Sequence, residues 1–285
     1  MHKTRSLNRT SPVDIMARTG KWIYLIFFLI LTILPLIWLI ISSFKTNYEF
    51  ETQPFALPVV WQIQNYIKAF QMANLGRLFL NSVIVAICTT AFNTLVASMA
   101  AFAISRENFR FKNGLLTIIL SGVLIPIIAL MVPYFKIVSG LGLYDTLPGL
   151  IITYSAINIP ISVFLIHGFM STIPKELEEA AIIDGCSFTQ RYTRIVLPLS
   201  IPGLVTSGTF VFIYCWNEFT YAMLLTSSEA SRTLQLGIRF FRSQFVTDYT
   251  SMLAAIVITM VPTIFVYIFM HNRIISGMTS GAVKG

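Results

Sequence analysis

The sequence has few charged residues and few of the side chains that build disulfide frameworks or metal sites. Only 11% of its 285 residues are Asp, Glu, Lys or Arg, against about 25% in an ordinary soluble domain. Its three cysteines and three histidines are scattered, which favours neither a disulfide framework nor a zinc site. No phosphate-binding loop of the form GxxxxGK[ST] occurs, so the chain is not expected to bind ATP by that mechanism. An intramembrane enzyme is disfavoured as well, because no Ser-His-Asp set or pair of carboxylates stands out.

Long apolar runs make up most of the chain, and 55% of its residues are hydrophobic. A membrane-spanning helix needs about 20 mostly apolar residues. The sequence therefore predicts an all-α membrane protein with six transmembrane helices. Prolines and glycines inside several of these runs indicate a packed bundle, in which neighbouring helices satisfy the freed backbone groups. The predicted spans cover residues 22–44, 78–105, 113–135, about 147–170, about 201–226 and 249–270.

The N-terminal segment 1–21 is basic and precedes an apolar run, as in a secretory signal peptide. The apolar run of a signal peptide has about 7–15 residues and ends at a small-residue cleavage site, whereas residues 22–44 form 23 uncharged residues. We therefore expect a retained first span. The predicted organisation is a cytoplasmic segment 1–21, a transmembrane domain 22–270 and a cytoplasmic tail 271–285.

The distribution of Lys and Arg predicts the orientation in the membrane. Segments on the same side as the N-terminus carry 13 of these residues, and segments on the opposite side carry 7. By the positive-inside rule, we expect a multi-pass protein of the cell membrane with both of its termini in the cytoplasm. The formal net charge of +8 is explained by these flanking residues, and no nucleic-acid partner is expected.

One polar block, residues 171–200, interrupts the apolar pattern between the fourth and fifth spans. Pro174 suits the first turn of a helix, because its missing N–H would have no partner there. The acidic run that follows would lie near the positive end of the helix dipole. Gly185 comes directly after this run, where a left-handed C-terminal cap favours glycine.

A second short helix is predicted after this turn. Ser187 and Gln190 have the spacing of a capping box. The helix is expected to end at Leu197-Pro198, because a residue before proline is pushed out of the helical region. The sequence thus predicts a helix–turn–helix on the cytoplasmic side.

Three interpretations of the hairpin are open at this point. A solvated connecting loop needs neither capped helices nor as many apolar side chains as this segment carries. A DNA-binding helix–turn–helix is disfavoured, because its first helix is acidic and would meet phosphates poorly. The third interpretation, a surface that docks another protein, fits the caps, the charge and the apolar groups together.

The motif EAA, three residues, G, nine residues and IVLP spans the hairpin and resembles the EAA loop of binding-protein-dependent ABC importer permeases. Further similarity to the carbohydrate-uptake, maltose-type branch lies in Asn65-Tyr66 after Trp61, in WNEF at 216–219 and in SGAVKG at 280–285. In that family the hairpin is a coupling helix that sits in a cleft of a cytoplasmic ATPase subunit. The resemblance therefore assigns ATPase coupling to Glu179, Ala180, Ala181, Asp184, Gly185, Ile195, Leu197 and Pro198.

The resemblance also implies how these residues act and with which partners. Glu179 would pair with a basic group of the ATPase, the alanines and Gly185 would allow close contact and the turn, and Ile195, Leu197 and Pro198 would anchor the second helix. The expected complex contains a second homologous permease, two cytoplasmic ATPase subunits and an extracytoplasmic solute-binding protein. This chain itself would bind no cofactor, and ATP and Mg would be held by the ATPase. The C-terminal tail, Ser280–Gly285, would reach the ATPase dimer.

Glu218 is the only charged residue inside a predicted span. A charge in the membrane indicates function, so Trp216, Asn217 and Glu218 are candidates for gating or solute passage. The alternative is that Glu218 reaches the outer interface or caps a break in its helix.

The function expected from the sequence is transport of carbohydrate, an oligosaccharide in particular, driven by ATP hydrolysis on another subunit. Another polar solute, such as a glycerol phosphate, is the alternative cargo. A secondary transporter driven by an ion gradient is disfavoured, because it would need acidic or basic relays within the membrane and two similar halves. Neither is found in this sequence.

Overall fold

The computed structural model describes residues 12–72, 74–238 and 248–282, and within those ranges the protein is almost entirely helical, with no β-strand. Some sequence-based predictions lie outside the described residues. They concern most of the basic N-terminal segment, the end of the tail and the segment before α13, at residues 1–11, 283–285 and 239–247. The long helices are α1 (Pro12–Ser42), α4 (Leu75–Arg106), α7 (Leu147–Met170), α10 (Ile201–Asn217) and α13 (Tyr249–Ala282). The shorter ones are α2 (Asn47–Thr52), α3 (Gln64–Met72), α5 (Lys112–Ser121), α6 (Met131–Gly140), α8 (Glu176–Ile183), α9 (Phe188–Leu199), α11 (Thr220–Leu225) and α12 (Leu234–Gly237).

Four described helices are long and apolar enough to cross a membrane, and two bent pairs raise the number to six if each pair counts as one span. The four straight spans lie at 18–42, 75–106, 147–170 and 249–271. Pro35, Pro160 and Pro262 lie inside helices without ending them. The sequence-based prediction of an all-helical membrane fold is thus confirmed, and the described helices are compatible with six spans. The second bent pair joins α9, in the hairpin, to α10 at 76°.

The third predicted span, 113–135, is bent, which its apolar pattern did not indicate. Its two halves, Lys112–Leu124 and Ile127–Gly140, meet at 99°. Ile125 adopts an extended conformation, φ −78° and ψ 123°, as expected for a residue that precedes a proline, here Pro126. Pro126 therefore favours a break at this point of the span.

The fifth predicted span, 201–226, is also interrupted. Helix α10 ends at Asn217, because Glu218 is extended at φ −71° and ψ 125°, and α11 begins at Thr220. The 17 residues of α10 cover about 26 Å at ~1.5 Å per residue, less than the ~30 Å hydrocarbon core. The breaks in the third and fifth spans leave irregular backbone within the bundle.

The bundle is built around α4 and α7, which pack along each other more extensively than any other pair of helices. Two buried clusters lie along this pair. One surrounds Leu78, Tyr154 and Trp216, and the other surrounds Phe102, Ile166 and Val196 near the hairpin. Helix α1 is the least buried span and touches chiefly α13. The α4–α7 pair is therefore the frame that holds both candidate sites.

Candidate functional site

The polar hairpin consists of α8, a glycine turn and α9. Gly185 has φ +79°, in the left-handed region that favours glycine, and closes α8 as predicted. The capping box is present at the start of α9. The backbone N–H of Ser187 donates to Oε1 of Gln190 over 2.7 Å, and the N–H of Gln190 donates to the hydroxyl oxygen of Ser187 over 3.4 Å. Local sequence signals therefore fix the turn and both of its caps.

Two expected helix boundaries in the hairpin are wrong. Helix α8 begins at Glu176, so Pro174 lies before the helix and not in its first turn. Helix α9 does not end at Leu197-Pro198 but continues to Leu199, after a π-helical turn at Arg191–Val196. A π turn widens the helix just ahead of Pro198, which gives the proline ring room and tolerates the N–H it lacks.

The EAA motif is divided between an outward and an inward face. Glu179 and Ala180 are exposed, as are Asp184 and Gly185, whereas Ala181 is buried. Apolar side chains share the outward face, where Ile183 is 86% exposed. Exposed apolar groups next to small residues and a carboxylate form a surface suited to contact with another protein.

Helix α9 is anchored more deeply by residues other than those that the sequence singled out. Ile195 and Leu197 are half-buried and Pro198 is exposed, whereas Val196 is fully buried and Tyr192 nearly so. The hydroxyl groups of Tyr192 and Ser98 on α4 are hydrogen-bonded over 2.7 Å, and the ring of Tyr192 lies 5.2 Å from that of Phe102. The helical period from 192 to 196 was the available signal for this inward face.

Four charged side chains lock the base of the hairpin to α4, and sequence analysis missed this network. Arg106 Nε lies 3.1 Å from Glu178 Oε1, at ion-pair distance but outside hydrogen-bond alignment. Arg191 contacts Glu107 at 2.7 Å and Glu178 at 3.6 Å. The side chains of Arg106 and Glu178 are only 2% and 6% exposed.

The same network reaches the end of α7. The guanidinium of Arg106 donates to the carbonyl oxygens of Met170 and Ile173, the latter over 3.0 Å. Carbonyl groups at the end of a helix have no partner within the helix, and a cation satisfies them. Arg106 and Glu178 therefore join the hairpin to the ends of two spans. We name Arg106, Glu107, Glu178 and Arg191 the basal ion network.

Glu218 lies at the break in the fifth span and is 9% exposed. Its carboxylate accepts hydrogen bonds from the N–H groups of Tyr221, over 2.8 Å, and Ala222, over 3.0 Å. The hydroxyl of Tyr154 on α7 donates to the same carboxylate over 2.8 Å. Glu218 thus caps the start of α11, which is the structural alternative that the sequence left open. No cation pairs with it among the residues that the structure describes.

The two helix breaks are joined directly. Tyr221, whose backbone N–H donates to Glu218, uses its hydroxyl to donate a hydrogen bond to the carbonyl oxygen of Ile127 over 2.7 Å. A cavity of about 450 Å³ lies between the breaks. It is lined by Ile127, Ile128, Tyr214, Asn217, Phe219 and Tyr221, among others.

The other two candidates for solute passage lie in different surroundings. Trp216 is buried, its indole N–H donates to the carbonyl oxygen of Thr259 over 2.9 Å, and its ring stacks on Phe212. Asn217 is exposed and donates to the carbonyl oxygen of Ile213 over 2.8 Å. Trp216 therefore contributes to the core, and a role in solute passage or gating for Trp216, Asn217 and Glu218 stays a prediction.

A carboxylate clasp holds two loops together at the end of the bundle opposite the hairpin. Asp145, at φ +60°, accepts hydrogen bonds from the N–H groups of Ser227, over 2.8 Å, and Ser228, over 3.0 Å, and from the hydroxyl of Ser231. Partial burial would raise the pKa of Asp145, but these donors stabilise the carboxylate and together hold its pKa well below the ordinary value. No group of three or more potential metal ligands occurs within the described ranges.

Comparisons with known proteins agree with this geometry. The family described as "Binding-protein-dependent transport system inner membrane component" matches residues 93–278. The chain is 36% identical over 256 residues to the trehalose transport system permease protein SugB of Mycobacterium tuberculosis, covering 89% of this chain and 93% of the relative. It is 33% identical over 262 residues to the diacetylchitobiose uptake system permease protein NgcG of Streptomyces coelicolor, covering 91% and 87% of the two chains.

Among solved structures, a chain of a bacterial ABC transporter involved in the import of the acidic polysaccharide alginate has a similar fold. The TM-score is 0.81 at 22% identity, covering 92% of this chain and 98% of the other. At this identity the likeness concerns the fold alone.

Proposed function

We propose a function for this chain from its family: it belongs to the binding-protein-dependent transport system inner membrane component family, whose members are multi-pass inner-membrane permeases. In this proposal it is one of two permease subunits of an ATP-driven importer for carbohydrates, in particular oligosaccharides. The observation that carries this proposal is the hairpin. It combines an exposed EAA face with a base locked to α4 and α7 by buried ion pairs. A rigid element of this kind transmits motion from a docked protein to the helices that hold it.

The proposed complex contains this chain, a second homologous permease, two ATPase subunits and an extracytoplasmic solute-binding protein, all in or at the lipid bilayer. The ATPase subunits hold ATP and Mg, and the chain described here supplies no nucleotide site. Both termini and the hairpin lie in the cytoplasm, in agreement with the excess of Lys and Arg on that side.

Coupling proceeds through the hairpin. Closure of the ATPase dimer moves α8 and α9, and the basal ion network carries that displacement to the ends of α4 and α7. Rotation of these helices changes which side of the membrane the solute path faces. Since the coupling is reciprocal, solute-loaded binding protein on the outside raises ATP turnover on the inside.

A carbohydrate cargo is supported by the sugar substrates named for the related permeases, trehalose and diacetylchitobiose. The solute is identified by measuring which sugars bind the cognate extracytoplasmic receptor. If the receptor binds a glycerol phosphate and no sugar, the cargo is a glycerol phosphate and the carbohydrate proposal is wrong.

Substitutions on the exposed face test the coupling role. Glu179→Lys reverses the charge that faces the ATPase, and we expect it to abolish uptake in intact cells while the protein still inserts. Glu176→Lys is the matched control, because Glu176 is exposed on the same helix outside the motif. Normal uptake by Glu179→Lys would refute the role of this surface.

Gly185→Asp tests the turn. A Cβ at Gly185 meets no atom within 4 Å in this chain, so the bulk of the new side chain acts only on a docked partner. Gly142, at φ +70° and with equally open surroundings at the opposite end of the bundle, provides the control for backbone strain. We expect Gly185→Asp to lose uptake with a change in thermal stability no larger than that of Gly142→Asp.

A further inference from the structure

The loop between α2 and α3 is apolar although it lies outside the spans. Residues 52–67 contain no Asp, Glu, Lys or Arg. Contiguous exposed apolar surface indicates a contact with lipid or protein, because water would not stabilise it. The exposed apolar side chains between the two helices are Phe55, Leu57, Val59, Val60, Trp61 and Ile63.

This loop folds back along the first span. The indole N–H of Trp38 donates to the carbonyl oxygen of Pro54 over 2.8 Å, and the ring of Phe55 lies 6.4 Å from that of Trp38. Trp38 precedes the last residue of α1, Ser42, by four positions, which is about 6 Å along the helix axis. The loop therefore contacts the span about 6 Å before its end, a distance within the range of about 5–10 Å by which the apolar face of an interfacial segment is buried.

Lys45 holds the loop in this position. It is 1% exposed, and its ammonium donates to the carbonyl oxygens of Gln53, over 3.0 Å, and Pro54, over 2.8 Å. Within the described part of the chain it forms no salt bridge. Backbone carbonyls below the membrane surface find no water and need a partner from the protein. The buried ammonium supplies that partner.

The return of the chain toward the bundle is fixed by Asn65 and Tyr66. The side-chain amide of Asn65 donates to the carbonyl oxygens of Ser43, over 2.8 Å, and Lys45, over 2.7 Å. The hydroxyl groups of Tyr66 and Ser43 are hydrogen-bonded over 2.8 Å. The loop is thus tied to the end of the first span at both of its ends.

An apolar cavity of about 260 Å³ separates the loop from the span. Its lining includes Leu34, Ile37, Trp38, Ile41, Phe55 and Leu57. Ordered water needs two to four polar partners, which this lining does not offer because the indole N–H is already used by Pro54. A segment of a lipid acyl chain matches the cavity better.

We infer that residues 53–63 form a re-entrant lipid-binding belt, with Phe55 and Leu57 among the acyl chains of the leaflet opposite the hairpin and Lys45 as the residue that positions them. The exposed face of α1, to which the loop is joined, is apolar, and this continuity favours acyl chains over a soluble protein as the occupant.

Depth-dependent quenching tests the belt. The full-length chain, with the subunits that co-purify with it, is placed in nanodiscs after Cys88, Cys186 and Cys215 are replaced by serine. An environment-sensitive fluorophore is attached at Leu57→Cys or, as the matched probe, at Glu51→Cys, an exposed polar site on α2. Quenchers are iodide in water and lipids that carry a nitroxide at a shallow or a deep acyl position.

We expect the Leu57 probe to be quenched most by the shallow nitroxide and weakly by iodide, and the Glu51 probe to show the reverse. Quenching of the Leu57 probe by iodide alone would place the loop in water. Protection from both kinds of quencher would place it under another protein. Either result overturns the inference without bearing on the proposed transport function.

The role of Lys45 has its own test. Lys45→Met keeps the apolar stem and removes the donors, so we expect nitroxide quenching at Leu57 to fall and iodide quenching to rise. Lys68→Met is the matched control, because Lys68 is exposed on α3. Unchanged quenching in Lys45→Met would show that the ammonium does not hold the loop. If that variant fails to insert, the quenching pattern of the unmodified Lys45 protein still decides whether the belt exists.

Discussion

The two ends of the bundle both bury carboxylates, but they satisfy them in opposite ways. Near the hairpin, Glu178 faces the cations of Arg106 and Arg191. At the opposite break, Glu218 is held by two N–H groups and the hydroxyl of Tyr154. The first arrangement joins separate elements by charge, whereas the second uses one carboxylate to cap a broken helix with neutral donors.

This difference explains why a charged residue inside a span need not lie on the transport path. Glu218 has a structural role in capping α11, and its burial is compensated by the hydrogen bonds that its side chain accepts. The cavity beside it and the link from Tyr221 to Ile127 keep the region a candidate for gating. The hairpin end, by contrast, has no break in α4 or α7, so a displacement there moves whole helices.

The largest effect is expected from removing one partner of the basal ion network. Glu178→Gln leaves Arg106 buried without its counter-charge, and breaking a buried pair in this way costs about 3–5 kcal/mol. Thermal unfolding of the purified protein in lipid measures this loss. Glu176→Gln, on the exposed side of the same helix, is expected to change stability little. A Glu178→Gln protein as stable as its parent would show that the hairpin base does not depend on charge pairing.

A loss of similar size is expected at the opposite end. Glu218→Ala leaves the N–H groups of Tyr221 and Ala222 and the hydroxyl of Tyr154 without their acceptor, and each buried unsatisfied group costs about 1–3 kcal/mol. Glu218→Gln retains an acceptor oxygen and is expected to lose less. The comparison of the two variants by thermal unfolding and by solute uptake separates capping from charge. Equal losses in both would show that the negative charge, and not the hydrogen-bonding geometry, is what the site requires.

Tyr154→Phe removes one donor to Glu218 and sharpens the same comparison. We expect a smaller loss of stability than in Glu218→Ala, about 0.5–1.5 kcal/mol for a single hydrogen bond, or up to about 3 kcal/mol if its charged acceptor strengthens it. Tyr144→Phe is the control, because Tyr144 is exposed. If Tyr154→Phe destabilises the protein no more than Tyr144→Phe, the bond across the two spans contributes nothing measurable.

The smallest effect is a pH dependence at the clasp of Asp145. Its folded-state pKa is lowered by the serine donors, so its contribution to stability is fully present above the unfolded pKa of about 3.9. That contribution is lost as the pH falls from there through the lower folded-state pKa. We expect Asp145→Asn to flatten the fall of the unfolding temperature in this acidic range, whereas Glu51→Gln leaves it unchanged. An equally steep fall in Asp145→Asn would place the acid sensitivity elsewhere.

The sequence by itself determined the features that depend on neighbouring residues. Long apolar runs specify membrane helices because each satisfies its own backbone hydrogen bonds. The capping box at Ser187 and the left-handed turn at Gly185 follow from side-chain chemistry over a few residues. The motif spacing in the hairpin likewise predicted the family that the comparisons then showed.

Only the tertiary structure decided which distant groups meet. Arg106 and Glu178 come from different helices, and Tyr154 reaches Glu218 across 64 positions of the chain. Residue spacing carries no record of such contacts, because they depend on how α4, α7 and α10 pack. The 99° angle of the bend at Pro126 and the position of Phe55 beside Trp38 also depend on how the helices pack. A proline restricts its neighbours locally, but whether a helix continues through it, as at Pro160, or breaks depends on the helices that surround it.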